Sequence, residues 1–145
     1  MKSSFLVDTN VISESSRPNA DPRVLKWLED HDHQLFLSTI SIGELSKGIA
    51  LLQNGKRKQA LESWFEEICQ WAENRILVPD QMVMRTWGEL CATCEKRGES
   101  LSVLDSMIAA TALRYELTVV TRNCGDFPCE VSVLNPWDLS TGRMA

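Results

Sequence analysis

Five short apolar runs punctuate this chain, and helical patterns fill most of the intervals between them. Ser4 to Asp8, Gln34 to Ser38, Arg75 to Val78, Leu117 to Thr121 and Val131 to Leu134 are strand-length and rich in Leu, Ile, Val and Phe. Asp21-Pro22 predicts an N-cap followed by proline at the first helical position, opening a helix to about Asp30. From Ser41, the residues Ile42, Leu45, Ile49 and Leu52 recur at helical spacing until Asn54-Gly55 interrupts them. Leu61, Trp64, Phe65, Ile68 and Trp71 mark a long amphipathic helix. Met84, Trp87, Leu90, Cys91 and Cys94 mark another, ending near Gly98, and an alanine-rich one spans Leu104 to Tyr115. Strands alternating with helices predict an α/β layer fold around a mostly parallel sheet.

The 145 residues show no repeat, low-complexity tract or linker, so a single domain over residues 1–145 is expected. No apolar run approaches membrane-spanning length, and the N-terminal apolar stretch is too short for a secretion signal; a cytoplasmic protein without a membrane partner is expected. The formal net charge of -5 argues against a module that grips nucleic acid by charge alone, but not against an enzyme whose carboxylates hold cations. Five cysteines, an odd number, read as reduced thiols. Cys91-x-x-Cys94 with Cys124 and Cys129 leaves a zinc site as the alternative, although the first pair falls mid-helix. His31 and His33 fall in a polar turn and read as solvated.

In an open parallel sheet, ligands bind beyond the C-terminal ends of the strands. Asp8 is the first polar residue after the first strand, before a polar turn at Thr9-Asn10. Glu44 falls in the first turn of the helix after the second strand, Asp105 in the first turn of the alanine-rich helix, and Asp126 in the loop after the Leu117 to Thr121 strand. This architecture can collect all four on one edge, with Thr121 and Asn123 beside Asp126. Crowded carboxylates repel unless a cation neutralises them, and Mg²⁺ and Mn²⁺ prefer such oxygen donors. Each residue also has a local explanation. Ser41 to Glu44 fits a capping box, Ser102 to Asp105 a similar pattern, and Asp8 and Asp126 fit turns. Helix dipoles favour acids at such places by less than about 1 kcal/mol. Small residues point the other way: Ala109 and Ala112 beside Asp105, and Gly48 one turn after Glu44, leave room for close approach.

Four segments carry a family resemblance. Leu6-Val7-Asp8-Thr9-Asn10-Val11-Ile12-Ser13-Glu14 resembles the opening of PIN-domain proteins. Leu37 to Leu45 resembles their second acidic motif, Leu104 to Ala112 their third and Val119 to Phe127 their fourth. Leu134-Asn135-Pro136-Trp137 is similar to the close of the bacterial toxin branch called VapC or FitB. The resemblance implies a three-layer α/β/α PIN fold and an endoribonuclease dependent on Mg²⁺ or Mn²⁺. It also implies a toxin inhibited by a cognate antitoxin, in a homodimer or a larger toxin–antitoxin assembly. By motif match, Asp8, Glu44, Asp105 and Asp126 are the metal-binding and catalytic carboxylates, and Thr9, Asn10, Thr121 and Asn123 are supporting polar residues. Asp126 is expected farthest from the ion. The chain has Ser102 where this branch often has proline, which should affect helix entry but no ligand. Its one dense basic run is Lys56-Arg57-Lys58; Arg17, Lys47, Arg85, Arg97 and Arg122 are the other candidate phosphate contacts, each with a solvated alternative.

Two alternatives remain at the level of sequence. A phosphatase could use Asp8 as nucleophile, but the second aspartate such enzymes carry two residues later is Asn10 here. A PIN fold could also serve as a non-catalytic binding module, against which stand four intact acidic positions. An acidic pocket on an acidic protein invites arginine from a partner chain, and an antitoxin segment could supply it. Trp64, Phe65, Trp71 and Trp87 fall at helical spacing and suit either the core or that interface.

Overall fold

The structure, a computed structural model, describes residues 3–145. β1 (Phe5–Val7) leads through Asp8 into a short helix, α1 (Thr9–Glu14). α2 (Pro22–Asp30), β2 (Leu35–Ser38), α3 (Thr39–Ala50), α4 (Lys56–Trp71) and β3 (Ile76–Leu77) follow. α5 (Gln81–Lys96) and α6 (Val103–Tyr115) form a hairpin before β4 (Thr118–Val120), and β5 (Val133–Leu134) closes the sheet. The strand order is β3-β2-β1-β4-β5, and all four pairings are parallel.

Period-two alternation divides the core between the two faces of the sheet. Leu6, Val119 and Val133 join Leu90, Cys94, Ile108, Ala109 and Ala112 on the α5–α6 side. Phe5, Val7, Leu35, Leu37 and Val120 join Val11, Ile12, Val24, Trp27 and Leu45 on the other. Both faces of the central strands are therefore covered, which explains their continuous apolar sequence. The predicted three-layer α/β/α architecture is the one observed. Among the described residues no helix is long and apolar enough to cross a membrane.

Several local expectations are corrected. Thr9-Asn10 is not a turn but the start of α1, whose N-cap is Asp8. Ser41 does not cap a helix: Ser38 does, its hydroxyl accepting from the Ile40 amide at 3.0 Å, so α3 starts earlier and Glu44 lies in its second turn. Ser41 is instead fully buried. Gly48 is not what creates space beside Glu44, since a Cβ there would stand in the open with nothing within 4 Å. His31 stacks on Trp27, with ring centroids 4.2 Å apart, rather than lying free in solvent. Ser102 does cap α6, accepting from the Asp105 amide at 3.1 Å.

Candidate active site

From β1 the chain crosses to β2 on one side and, later, to β4 on the other. The strand order therefore reverses at β1, and the crevice this creates at the C-terminal ends of β1 and β4 is the natural binding place in an open parallel sheet. Asp8 and Thr121 are the first residues beyond those two strand ends.

Asp8 is fixed from several directions. Its backbone amide donates to the Val120 carbonyl at 2.9 Å. One carboxylate oxygen, Oδ1, accepts from the Thr9 amide at 2.8 Å, and Oδ2 accepts from the Thr121 hydroxyl at 2.9 Å. Asn10 stitches the same corner: its Nδ2 lies 3.5 Å from Asp8 Oδ2 and 3.4 Å from Thr121 Oγ1, and its Oδ1 accepts from the Arg122 amide at 3.2 Å. Asn123 takes part through its backbone amide, which donates to Thr121 Oγ1 at 3.1 Å.

Glu44 reaches this corner from α3. Its Oε1 accepts from the Thr9 hydroxyl at 2.7 Å, so Thr9 serves Asp8 with its amide and Glu44 with its hydroxyl. Asp105 enters from the first turn of α6, half-buried. The full burial of Ala109 and Ala112 lets that helix lie close to the sheet. Asp126 sits in the tight turn Cys124–Asp126 and is exposed. It shares with Asp105 a cleft of about 660 Å³, also lined by Ser102, Gly125, Phe127 and Arg143.

Only 7% of Asp8 is exposed. Burial pushes its carboxyl up to about 6; the Thr121 hydroxyl and Thr9 amide pull it down, and the charges of Asp105 and Glu44 raise it again. Asp8, Asp105 and Glu44 thus share one electrostatic field. Among the described residues no Lys or Arg forms an ion pair with any of the four carboxylates. Nor do any three His, Cys, Asp or Glu side chains converge closely enough to enclose an ion as they stand. The group is an open acidic edge, not a closed cage. Its all-oxygen donor set and its partly desolvated charge, without an ion pair among the described residues, fit a hard divalent cation. The five cysteines are free thiols; Cys94 and Cys124 are buried, while Cys129 is exposed.

A groove of about 710 Å³ lies elsewhere, bordered by Ser3, Ser4, Tyr115, Leu117 and Thr118. These residues lie at the N-terminal ends of β1 and β4, away from Asp8 and Thr121. Chemistry rather than size selects the acidic corner. Of the basic residues singled out in the sequence, Arg17 pairs with Glu14, Arg97 with Glu99 and Glu130, and Arg122 lies over Trp137 at 4.7 Å. Arg143, which lines the cleft beside Asp126, carries no signal in the sequence. Its partners are backbone carbonyls distant in sequence, which leave no local pattern.

Residues 5–125 match the family profile described as PIN domain. The chain is 40% identical over 136 residues to Toxin FitB of Neisseria gonorrhoeae (strain ATCC 700825 / FA 1090), covering 92% of this chain and 98% of that protein. It is 32% identical over 137 residues to VapC ribonuclease Y4jK of Sinorhizobium fredii (strain NBRC 101917 / NGR234), covering 92% of this chain and 98% of that protein. Among solved structures, FitAB bound to an IR36 DNA fragment contains a chain that superposes with a TM-score of 0.87 at 38% identity, covering 93% of this chain and 96% of that one.

Proposed function

The chain belongs to the PIN domain family, and on that footing we propose that it is a metal-dependent endoribonuclease, the toxin of a toxin–antitoxin pair. The observation that carries this reading is the corner where β1 and β4 end. There Asp8 is buried and pushed up to about 6 in the shared field of Asp105 and Glu44, with no ion-pair partner among the described residues. Relatives named for toxin and ribonuclease activity support the assignment.

In this reading Asp8 and Asp105 hold Mg²⁺ or Mn²⁺, Glu44 completes the set from α3, and Asp126 closes it from the exposed turn. The ion supplies Lewis acidity and neutralises charge during phosphodiester hydrolysis. The chain's own residues supply the order. Thr121 and the Thr9 amide fix both oxygens of Asp8, and the Thr9 hydroxyl fixes Glu44. Asn10 ties the β1 end to the β4 end, so that Asp8 and Thr121 keep their spacing. One carboxylate accepts the proton of the attacking water. The water oxygen bonds to phosphorus as the phosphorus–oxygen bond to the departing ribose breaks. No side-chain nucleophile is required.

The proposal includes two protein partners. A basic antitoxin segment suits the acidic corner. Its apolar part suits the narrow cleft of about 200 Å³ bordered by Ile12, Leu28, Leu35, Ile68 and Trp71. Every residue of α4 keeps some exposure, so Trp64, Phe65 and Trp71 back the core while remaining reachable. A second copy of the chain completes a homodimer. The decisive test is cleavage of RNA with added Mn²⁺ by the wild type, Asp8→Ala and Asp105→Asn. Loss of cleavage in both variants is expected; equal cleavage by all three proteins sinks the assignment.

A further inference from the structure

Beyond β5 the chain turns back along the edge of the sheet. The Arg143 amide donates to the Val133 carbonyl at 2.8 Å, and the Val133 amide donates to the Arg143 carbonyl at 2.8 Å, an isolated antiparallel bridge. Gly142 permits this approach: a Cβ there would stand 3.0 Å from the Val133 carbonyl oxygen and 3.2 Å from Leu134 Cα. The Ala145 amide donates to Ser132 Oγ at 2.9 Å and extends the same contact. The backbone of Arg143 is thus anchored, and its side chain projects over the turn that carries Asp126.

The guanidinium grips that turn on both sides of the carboxylate. Nη1 donates to the Cys124 carbonyl at 3.1 Å, and Nη2 donates to the Phe127 and Pro128 carbonyls at 2.6 and 2.9 Å. Three charge-assisted bonds converge on a segment whose own backbone bonds are few: Asp126 amide to Asn123 carbonyl at 3.0 Å, Phe127 amide to Cys124 carbonyl at 3.3 Å, and Val131 amide to Pro128 carbonyl at 3.0 Å. Arg23 and Arg97, by contrast, direct their donors at carboxylates. Among the described residues Arg143 has no ion-pair partner. Its charge stands beside Asp126 and Asp105 in the cleft they share.

We propose that Arg143 is a positioning residue for the hydrolysis. Its guanidinium clasps the Cys124–Pro128 segment and so fixes Asp126 relative to Asp105. The inference rests on the metal-dependent hydrolase reading above. It explains how an exposed carboxylate on a short turn holds a defined place, since the side chains around Asp8 do not reach Asp126. The fork matters, not the charge alone: a lysine ammonium keeps the charge but cannot span three carbonyls in one plane.

The test compares Arg143→Lys, Arg143→Met, Gly142→Ala and Asp126→Asn in the full chain. Both Arg143 variants are expected to lose about 10- to 100-fold in kcat, the scale of a misplaced catalytic group, with KM little changed. Amide exchange should quicken at residues 123–128 while the helices keep their protection. Adding Arg143→Met to Asp126→Asn should cost nothing further, because the clasp acts only through that carboxylate. Gly142→Ala keeps the guanidinium and disturbs only its seat, so it should give a smaller loss of the same kind; it carries the test if the Arg143 variants do not fold. Full activity in Arg143→Lys, additive losses in the double variant, or unchanged exchange at residues 123–128 each overturn the proposal. If the wild type cleaves no RNA, the ribonuclease reading fails on its own, and the exchange measurement still decides whether the clasp exists.

Discussion

Replacing Asp8 by asparagine should make the metal-free protein more stable while abolishing its cleavage of RNA. Raising the carboxyl from its ordinary 3.8 to about 6 costs the folded state about 3 kcal/mol once the group is ionised. Asparagine keeps the shape and still offers its carbonyl oxygen to the Thr9 amide, the bond that caps α1. It brings no charge into a buried position. At about 2–4 °C per kcal/mol for a domain of this size, the variant should melt about 6–12 °C above the wild type at pH 7.5 in the presence of a chelator. The pH dependence follows from the sign. Between about 4 and about 6 the folded state retains a proton that the unfolded chain has released, so wild-type stability falls as pH rises through that window. Above it the full cost applies, and below it the two proteins should converge. Excess Mn²⁺ should raise the melting temperature of the wild type more than that of the variant. Calorimetric melting across pH, with and without Mn²⁺, reads all of this. The reasoning fails if Asp8→Asn melts at or below the wild type at pH 7.5 without metal, or if their difference persists unchanged at pH 4.

Three further outcomes test the surrounding structure. Thr121→Val removes the hydroxyl that lowers the Asp8 carboxyl, so the acid limb of the kcat/KM profile should move to higher pH; an unmoved limb would show that Asp8 does not set it. Ala109→Leu forces extra volume between α6 and the sheet, where the residue is fully buried. Urea unfolding should register a loss of about 1–3 kcal/mol, and no loss would mean the helix does not lie as close as described. Glu130 is held down at about 2 by its bonds to Arg97, so Glu130→Gln should lower the melting temperature slightly at neutral pH. That difference should fade as pH falls below the ordinary carboxylate range toward 2, and a difference that grows on acidification would contradict the pairing.

What could be read from the sequence follows how locally each feature is encoded. The apolar run at Phe5 to Val7, the Asp21-Pro22 start and the alanine-rich helix each carry their signal within a few residues, and the structure has an element at each. α1 escaped notice because six residues hold less than two turns of pattern, and Val11 and Ile12 alone cannot set a period. The turn that holds Glu44 is hidden in the sequence because Ser38 serves twice, as the last residue of β2 and as the cap of α3. A serine three residues before the glutamate then mimicked a capping box. Asp8, Glu44 and Asp105 could be gathered in advance because strand ends and helix starts fall on one edge of a parallel sheet. The hydrogen bonds that orient them could not, since Thr121 and Asp8 lie 113 residues apart. Arg143 lies further still from any local rule, because its acceptors are main-chain atoms, which every residue has.

The sheet order also sets a timetable for synthesis. β1 is made first, and its partner β2 follows about thirty residues later, yet β4, which flanks β1 on the other side, comes only after Tyr115. Until then Asp8 has neither the Val120 carbonyl for its amide nor the Thr121 hydroxyl for its carboxylate. A chain stopped before β4 would carry three of the four carboxylates with the corner between them unmade. The contact that arms the site closes one of the longest loops in the protein, and long loops close late. The corner at Asp8 therefore waits for β4, whatever has folded before it.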